Sequence, residues 1–565
     1  MPKFRLGTDD FMKLITEGGY FVDKSLLIRE VIQGSDVTLL PRPRRFGKTL
    51  NMTMLRYFFE KSDEDRRSIF DGLAVANNAD CMEHQGRYPV IYLSLKDIKG
   101  NIWEEALVAI RSRLSSLYRD HKAASRFVPP EDQRRIESIC TESADLGTMK
   151  LSLKNLISYL HKHHGKPVVV LIDDYDSPVI ESWNKGYYDE MLDFIRAWLD
   201  AGLKHENGRA LYRAVVTGIL RIAKESIFSG LNNLDVPTLI RSGPFADKFG
   251  FTQAEVDQIL VDFNLPELSE PMQTWYNGYN FGGEVIYNPW SVISCIHQHP
   301  DPVGPQWLNT ASNDLVHAEL EAGGLPLKRD LERLLKGEEL RYPIVENTVF
   351  KNVGTRPETI WSFLVFSGYL KASDPCPDPL TGEQHYRLSI PNQEVSMAYR
   401  EFVAHWHLQA NFNATNEMLR SLVTDDIPHF ERLFSELVCN LLSHHGTAKQ
   451  PEAVYHALVL GLLANIRSAY QIRSNAESGY GRADILLQPL TDAFPLAFVI
   501  EFKAIAPDGD TDSAIAAALE QIESKAYEAQ LVEAGVTSDN IRKLAIVFNG
   551  KQVTVRDLSD CDGTS

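Results

Sequence analysis

Two sets of residues in this chain have the types and spacing for chemistry on phosphates. The first closes on Gly47-Lys48-Thr49, at the end of a basic, proline-bearing loop, Arg42-Pro43-Arg44-Arg45-Phe46. The apolar run Val37 to Leu40 leads in, and Leu50 to Leu55 reads as a helix. Strand, loop and helix in that order offer backbone N–H groups to phosphate oxygens, a lysine to the outer phosphates and a hydroxyl to Mg²⁺. This is the layout of a nucleotide-binding P-loop, except that Arg42 stands where G-x-x-x-x-G-K-[ST] has its first glycine. Asp173 and Asp174 end a second apolar run, Val168 to Ile172. Asp173 is expected to hold Mg²⁺ through water, and Asp174 to polarise the attacking water. Asp is shorter than the Glu more often found there, so ATP binding is better supported than fast hydrolysis. Thr217, ending a later strand, could sense a γ-phosphate. Arg221 could neutralise transition-state charge in cis or across a subunit interface. Surface or capping roles are the alternative for both. Arg44 and Arg45 are read as phosphate contacts, or as capping and acid-pairing residues.

The second set is Gly479-Tyr480-Gly481-Arg482-Ala483-Asp484 followed by Ile500-Glu501-Phe502-Lys503. Glu501 and Lys503 alternate along a strand and so share one face. A hairpin would bring Asp484 beside Glu501. Two carboxylates suit Mg²⁺ or Mn²⁺, which can lower the pKa of bound water and stabilise a phosphodiester transition state. Lys503 would orient the water or the scissile phosphate. Glu452, opening an upstream helix, is a further candidate ligand. Gln521 and Lys525 fall at i, i+4 on the next helix and, with Tyr527, could meet a nucleic-acid backbone; a solvated helix face is the alternative. For the E-x-K strand the alternative is an exposed face with a salt bridge.

The elements around these residues fall into two α/β regions with a helical middle. Runs at 37–41, 88–95, 167–173 and 212–218 alternate with helical stretches, including a long one at 102–164. That alternation implies a parallel sheet with ligands at the strands' carboxyl ends. An N-terminal arm, 4–35, precedes it. From about 241 the alternation stops; Thr252 and Glu255 read as a capping box. Trp275–Tyr279 and Tyr287–Trp290 read as a packed aromatic loop. A helix at 359–370 and a hairpin around Pro377–Gly382 resemble a winged helix. A helix at 452–468, strands at 482–488 and 496–503, a helix at 513–531 and a strand at 543–548 follow. The expected domains are 1–240, P-loop with the arm; 241–335, helical lid; 336–430, winged-helix-like; 431–555, the α/β region that carries the second set; and 556–565, a disordered tail.

The bulk numbers bound these readings. A chain of 565 residues with 44% hydrophobic content suits several packed cores. No apolar run approaches the roughly 18 residues that span a bilayer, so no membrane partner is expected. Six scattered cysteines without C-x-x-C suit a reducing, intracellular compartment: cytoplasmic, or nuclear in a eukaryote. A net charge of −18 means that contact with DNA or RNA must rest on local basic groups and metal ions.

Taken together, these motifs resemble the AAA-ATPase-like proteins that carry a C-terminal PD-(D/E)XK nuclease-superfamily domain. Tyr20-Phe21-Val22-Asp23-Lys24-Ser25 looks like that family's Y-x-V-D-K-[ST], and Arg42 to Asn51 matches its R-P-R-R-F-G-K-T-L-N. Thr217 to Asn233, Trp275 to Tyr279, Tyr287 to Trp290, Tyr455-His456 and the 479–484 and 500–503 segments also match. The missing glycine at Arg42 is then a family trait. The family's D-E-Y-D is Asp173-Asp174-Tyr175-Asp176 here, a departure bearing on hydrolysis. The resemblance implies an ATPase module coupled to a metal-dependent nuclease-like domain, with ATP and Mg²⁺ as cofactors and homo-oligomers within reach. Two rivals stand beside it: a nucleotide-regulated binding or scaffold protein with an inactive nuclease fold, and an ATPase whose C-terminal fold only recruits partners.

Overall fold

The computed structural model describes residues 4–204, 210–221, 231–307, 320, 324–346, 357–410, 412–441, 452–466, 469–478, 481–491, 493–506, 509–550 and 552–558. The chain forms two compact units, 1–330 with 337–396, and 331–336 with 397–565.

The first unit begins with α1 (Phe11–Thr16) and α2 (Leu27–Gln33), then β1 (Val37–Pro41) and α3 (Lys48–Phe59). Next come β2 (Val90–Ser94), α4 (Trp103–Asp120), α5 (Pro130–Cys140), α6 (Leu146–Lys150) and α7 (Ser152–His164). The helical stretch 102–164 is thus several helices, broken where Pro129 and Pro130 begin α5 and where the Asp145 side chain caps α6. β3 (Val168–Asp173), α8 (Tyr188–Leu203), β4 (Leu211–Gly218) and the short β5 (Leu234–Asp235) complete the sheet. Its order is β2-β3-β4-β1-β5, and every pairing is parallel. β1 and β3 are buried along their whole length, as strands covered on both faces must be. β4 separates β1 from β3, so the carboxyl ends of all three strands lie side by side.

A helical subdomain follows. Its helix α9 (Gln253–Phe263) carries the Thr252/Glu255 capping box. The hairpin β6 (Tyr279–Phe281) and β7 (Glu284–Ile286) leads to α10 (Pro289–Gln298). Tyr276 and Tyr287 are buried in its core with Met272 and Val292. The N-terminal arm is strapped to this subdomain. Lys24 Nζ lies 2.6 Å from Glu255 Oε1 and donates to Asp247 O at 2.7 Å. Further on, β8 (Leu340–Pro343), α11 (Pro357–Phe366), β9 (Lys371–Pro377) and β10 (Gln384–Ser389) give a three-stranded antiparallel sheet in the order β8-β10-β9. The Asp378 carboxylate holds the β9–β10 turn by accepting from Leu380 N and Thr381 N. Arg387 on this sheet pairs with Glu339 and Asp374 at 3.2 Å each, which commits its charge to acids of the same unit.

The second unit holds α12 (Phe412–Val423), α13 (Ile427–Leu441), α14 (Glu452–Leu463), β11 (Tyr470–Ser478), β12 (Gly481–Pro489), β13 (Ala497–Ile505), α15 (Thr511–Ser524), α16 (Ala529–Glu533), β14 (Ile541–Asn549) and β15 (Gln552–Asp557). The strands lie in sequence order, antiparallel except for the parallel β13–β14 pair that α15 and α16 connect. Alternation on β13 divides two cores: Phe498, Ile500 and Phe502 pack with α12, α13 and α14, while Ala497 and Val499 pack with α15. The helix expected at 513–531 is two. α15 ends at Ser524 with Lys525 as its cap, Ala526 turns to φ 50°, and buried Tyr527 is drawn into the core before α16 begins. Edge strands β11 and β15 were not anticipated; their apolar residues are too sparse to stand out.

Candidate functional site

In the first unit the loop after β1 turns into α3 at Gly47, whose φ of 78° is strained for any residue with a Cβ. Arg42, at the missing glycine, is fully buried. Its guanidinium donates to the carbonyls of Pro41 (2.8 Å), Pro237 (2.7 Å) and Phe245 (3.2 Å) and lies over the rings of Phe249 and Phe281. Burial pushes its pKa down to about 9. Arg42 therefore braces the loop from behind, which explains why a long side chain stands where a glycine is usual. Lys48 Nζ donates to the carbonyls of Arg42 (3.1 Å) and Pro43 (3.0 Å). Arg45 has a φ of 69° and sets its guanidinium 4.3 Å from the Trp290 ring centroid; Arg44 is half-buried beside it.

The three strand ends meet at Asp173. Its carboxylate accepts from Thr49 Oγ1 at 2.7 Å and from Thr217 Oγ1 at 2.5 Å. Burial, and then the neighbouring Asp174, raise its pKa. So Thr49, Asp173 and Thr217, 168 positions apart end to end (217 less 49), form one cluster next to Lys48. Asp174 is half-buried with a φ of 51°, a region that Asp tolerates better than most residues. Arg221 sits 3.9 Å from Glu346 Oε2 in an ion pair. Residues 222–230 lie outside the described residues.

Sequence reading passed over Asp176. It is fully buried, accepts from Ile219 N (2.7 Å) and Leu220 N (2.9 Å), and leaves Oδ1 without a partner. Burial raises its pKa to about 6. A Cβ on Gly218 would come within 2.6 Å of that carboxylate. Asp176 thereby ties the end of β3 to the turn after Thr217. Its place three residues after Asp173 was the available signal.

In the second unit β12 and β13 pair antiparallel as far as Ile485 opposite Ile500, and Asp484 and Glu501 follow directly at that end, close enough for their charges to interact. The Asp484 carboxylate accepts from Phe502 N at 2.8 Å. Glu501 is 2% exposed. Its Oε1 accepts from Lys503 Nζ (3.2 Å) and from Gln521 Nε2, while its Oε2 is buried with no hydrogen-bond partner. Burial, and then Asp484, push its pKa up to about 7. Lys503 Nζ also donates to Gln521 Oε1 at 3.0 Å, and Gln521 Nε2 donates to the Tyr527 hydroxyl at 3.2 Å. Gln521 thus turns inward to the carboxylate and lysine instead of outward. Tyr527 is buried and supports Gln521 from behind, so it is not placed to touch a nucleic-acid backbone. Lys525 is exposed at the helix end. His456, to which no role was assigned, places Nε2 3.1 Å from Asp484 O and 3.1 Å from Ser474 Oγ. The Glu452 side chain, Gly479 and Tyr480 lie outside the described residues.

An orphaned buried carboxylate oxygen beside a second carboxylate fits a divalent cation, which would cancel their repulsion and complete their bonding. The hydroxyls of Thr49 and Thr217 on Asp173 likewise fit a site for Mg²⁺ with a nucleotide phosphate tail.

Residues 5–228 match the family described as predicted AAA-ATPase, and residues 450–557 match the PD-(D/E)XK nuclease superfamily. The protein thus joins an AAA-ATPase-like P-loop domain to a C-terminal domain of the nuclease superfamily. An uncharacterised protein from the vnfD 5′ region of Azotobacter chroococcum is 24% identical over 542 residues, 93% of each chain. A signal transduction ATPase with numerous domains and a tetratricopeptide repeat sensor, from Pyrococcus horikoshii, aligns with 79% of this chain at 11% identity and a TM-score of 0.24. The alignment spans 58% of that protein's chain, and the superposition is too loose to bear on function. Among the described residues no helix is long and apolar enough to cross a membrane.

Proposed function

We propose that the protein binds and slowly hydrolyses ATP, and that its C-terminal domain cleaves DNA or RNA phosphodiesters with Mg²⁺ or Mn²⁺. The observation that carries the nuclease reading is the unpartnered, buried Oε2 of Glu501 beside Asp484. When bound, the metal supplies Lewis acidity to the scissile phosphate and lowers the pKa of a water. Asp484 and Glu501 hold it, with Glu452 as a further ligand. Lys503 orients the water or the phosphate, Gln521 fixes the Glu501 and Lys503 side chains, and Lys525 reaches the nucleic-acid backbone. In the P-loop domain, Lys48 leaves its loop carbonyls for the outer phosphates, aided by Gly47, Arg44 and Arg45. Thr49 and Asp173 hold Mg²⁺, Asp174 polarises the water, Thr217 senses the γ-phosphate, and Arg221 acts in cis or from a neighbouring copy in a homo-oligomer. The finer domain limits at 240, 335, 430 and 555 belong to the same proposal, as does a reducing, cytoplasmic setting suited to the free cysteines Cys81, Cys140, Cys295, Cys376 and Cys439.

The second reading, a nucleotide-regulated binding protein, is favoured by one feature: Asp174 has a short side chain where hydrolysis usually uses Glu. Two titrations separate the parts. Calorimetry with Mn²⁺ should show binding that Glu501→Ala abolishes and Lys48→Ala leaves intact. Calorimetry with ATP should show the reverse. Mn²⁺ binding indifferent to Glu501→Ala removes the basis for the nuclease site.

A further inference from the structure

A cavity of about 420 Å³ lies in the first unit at the far end of α3 from the phosphate loop. Twelve residues of helix put it about 18 Å from Lys48. Its walls come from the end of α3 (Arg56, Glu60), the following Lys61, the edge strand β2, the second half of α4 with its cap (Arg113, His121) and the end of α7 (His164). The cavity is of the size of small-ligand pockets, but its lining is charged.

Its cations keep donors in reserve. Arg113 uses Nε on Ser94 O at 3.0 Å, and Arg56 approaches Glu60 through Nε at 3.4 Å. The planar ends of both guanidinia remain for an anion, and such forks match phosphate oxygens. Exposed Lys61 stands at the rim. Two acids share the wall. Glu60 is engaged by Arg66 at 2.5 Å, and Asp120 is left to accept a ligand hydroxyl.

The strand edge adds backbone donors. Val169 N donates to Pro89 O and Leu95 N to Asp173 O, so odd-numbered residues of β2 face β3. Even-numbered ones therefore face outward. Lys61 N occupies Tyr88 O and Arg113 Nε occupies Ser94 O, which leaves the edge at Val90 and Tyr92, both on the cavity wall. The two histidines are held down by burial: His121 also by Arg56, against Asp120 and Glu60, and His164 also by His163, Lys61 and His121. An anion in the cavity relieves that crowding of positive charge.

We infer that this cavity is a second anion site, separate from the P-loop, that takes a phosphate dianion or the phosphate group of a small phosphomonoester. The inference does not depend on either proposed hydrolase activity.

The test is calorimetric titration of inorganic phosphate into the full chain carrying Lys48→Ala, which silences the P-loop. The expected result is one saturable site at pH 8, where the titrated phosphate is a dianion. Adding Arg113→Ala or Lys61→Glu should weaken binding about tenfold or more, the worth of a charge-assisted hydrogen bond. Exposed Lys61→Glu decides alone should Arg113→Ala not fold. Absence of saturable binding in the Lys48→Ala protein, or binding untouched by Lys61→Glu, overturns the inference.

Discussion

Glu501 bears the cost of the proposed nuclease site most directly. Its pKa of about 7 in the folded protein exceeds the ordinary 4.5, so between those values the unfolded chain is ionised while the folded chain keeps its proton. This group's contribution to stability is therefore full below pH 4.5 and is lost as the pH rises through about 7. Glu501→Gln should stabilise the metal-free protein at pH 8 by about 1–3 kcal/mol, the scale of an unsatisfied buried polar group. The same variant should lose the rise in melting temperature that Mn²⁺ gives the parent. A metal-free melting temperature at pH 8 that falls in Glu501→Gln contradicts this electrostatic account. At the other site, Asp174→Asn keeps the left-handed backbone acceptable but removes the negative charge. ATP turnover should drop by about 10²-fold, the usual weight of a general base, while ATP affinity changes little. An unchanged turnover number would take Asp174 out of the chemistry.

At the scale of elements, the ends of β1, β3 and β4 set the nucleotide site. Gly218 is packed against the Asp176 carboxylate and the Tyr175 ring, so Gly218→Ala should destabilise the first unit by about 1–3 kcal/mol. It should also weaken ATP binding, because Thr217 precedes it on the same strand. Thermal unfolding with and without ATP reads both effects; equal melting temperatures would mean that the turn has room to give.

The sheet was legible because β1 and β3 are continuous apolar runs ending in functional residues. So was the antiparallel pairing of β12 with β13, which brings Asp484 beside Glu501, since strand alternation fixes which side chains share a face. Arg42 was not legible as a brace: two of its three carbonyl partners, those of Pro237 and Phe245, come from distant segments that carry no side-chain pattern. Asp176 was missed for the same reason, since its partners are backbone N–H groups. The inward turn of Gln521 depends on α15 ending at Ser524, and that break arises from Tyr527 seeking the core, a tertiary effect that local periodicity hides.

For the whole molecule, a net charge of −18 opposes any polyanion. Nucleic-acid binding should accordingly require Mg²⁺ or Mn²⁺, collapse in a chelator, and weaken as salt rises with a shallow slope, because few phosphate contacts are available. Filter binding across salt and metal series would expose the opposite behaviour, tight metal-independent binding, which this charge distribution cannot support. The metal thus serves the proposed nuclease domain twice: in holding substrate and in completing Glu501. The most direct single measurement is cleavage of single- and double-stranded DNA and RNA with Mg²⁺ or Mn²⁺, comparing the parent protein with folded Glu501→Ala and Lys503→Ala. Metal-dependent cleavage by the parent, reduced to background in both variants, is the predicted result. No cleavage of any substrate by the folded parent, or cleavage that survives Glu501→Ala, contradicts it.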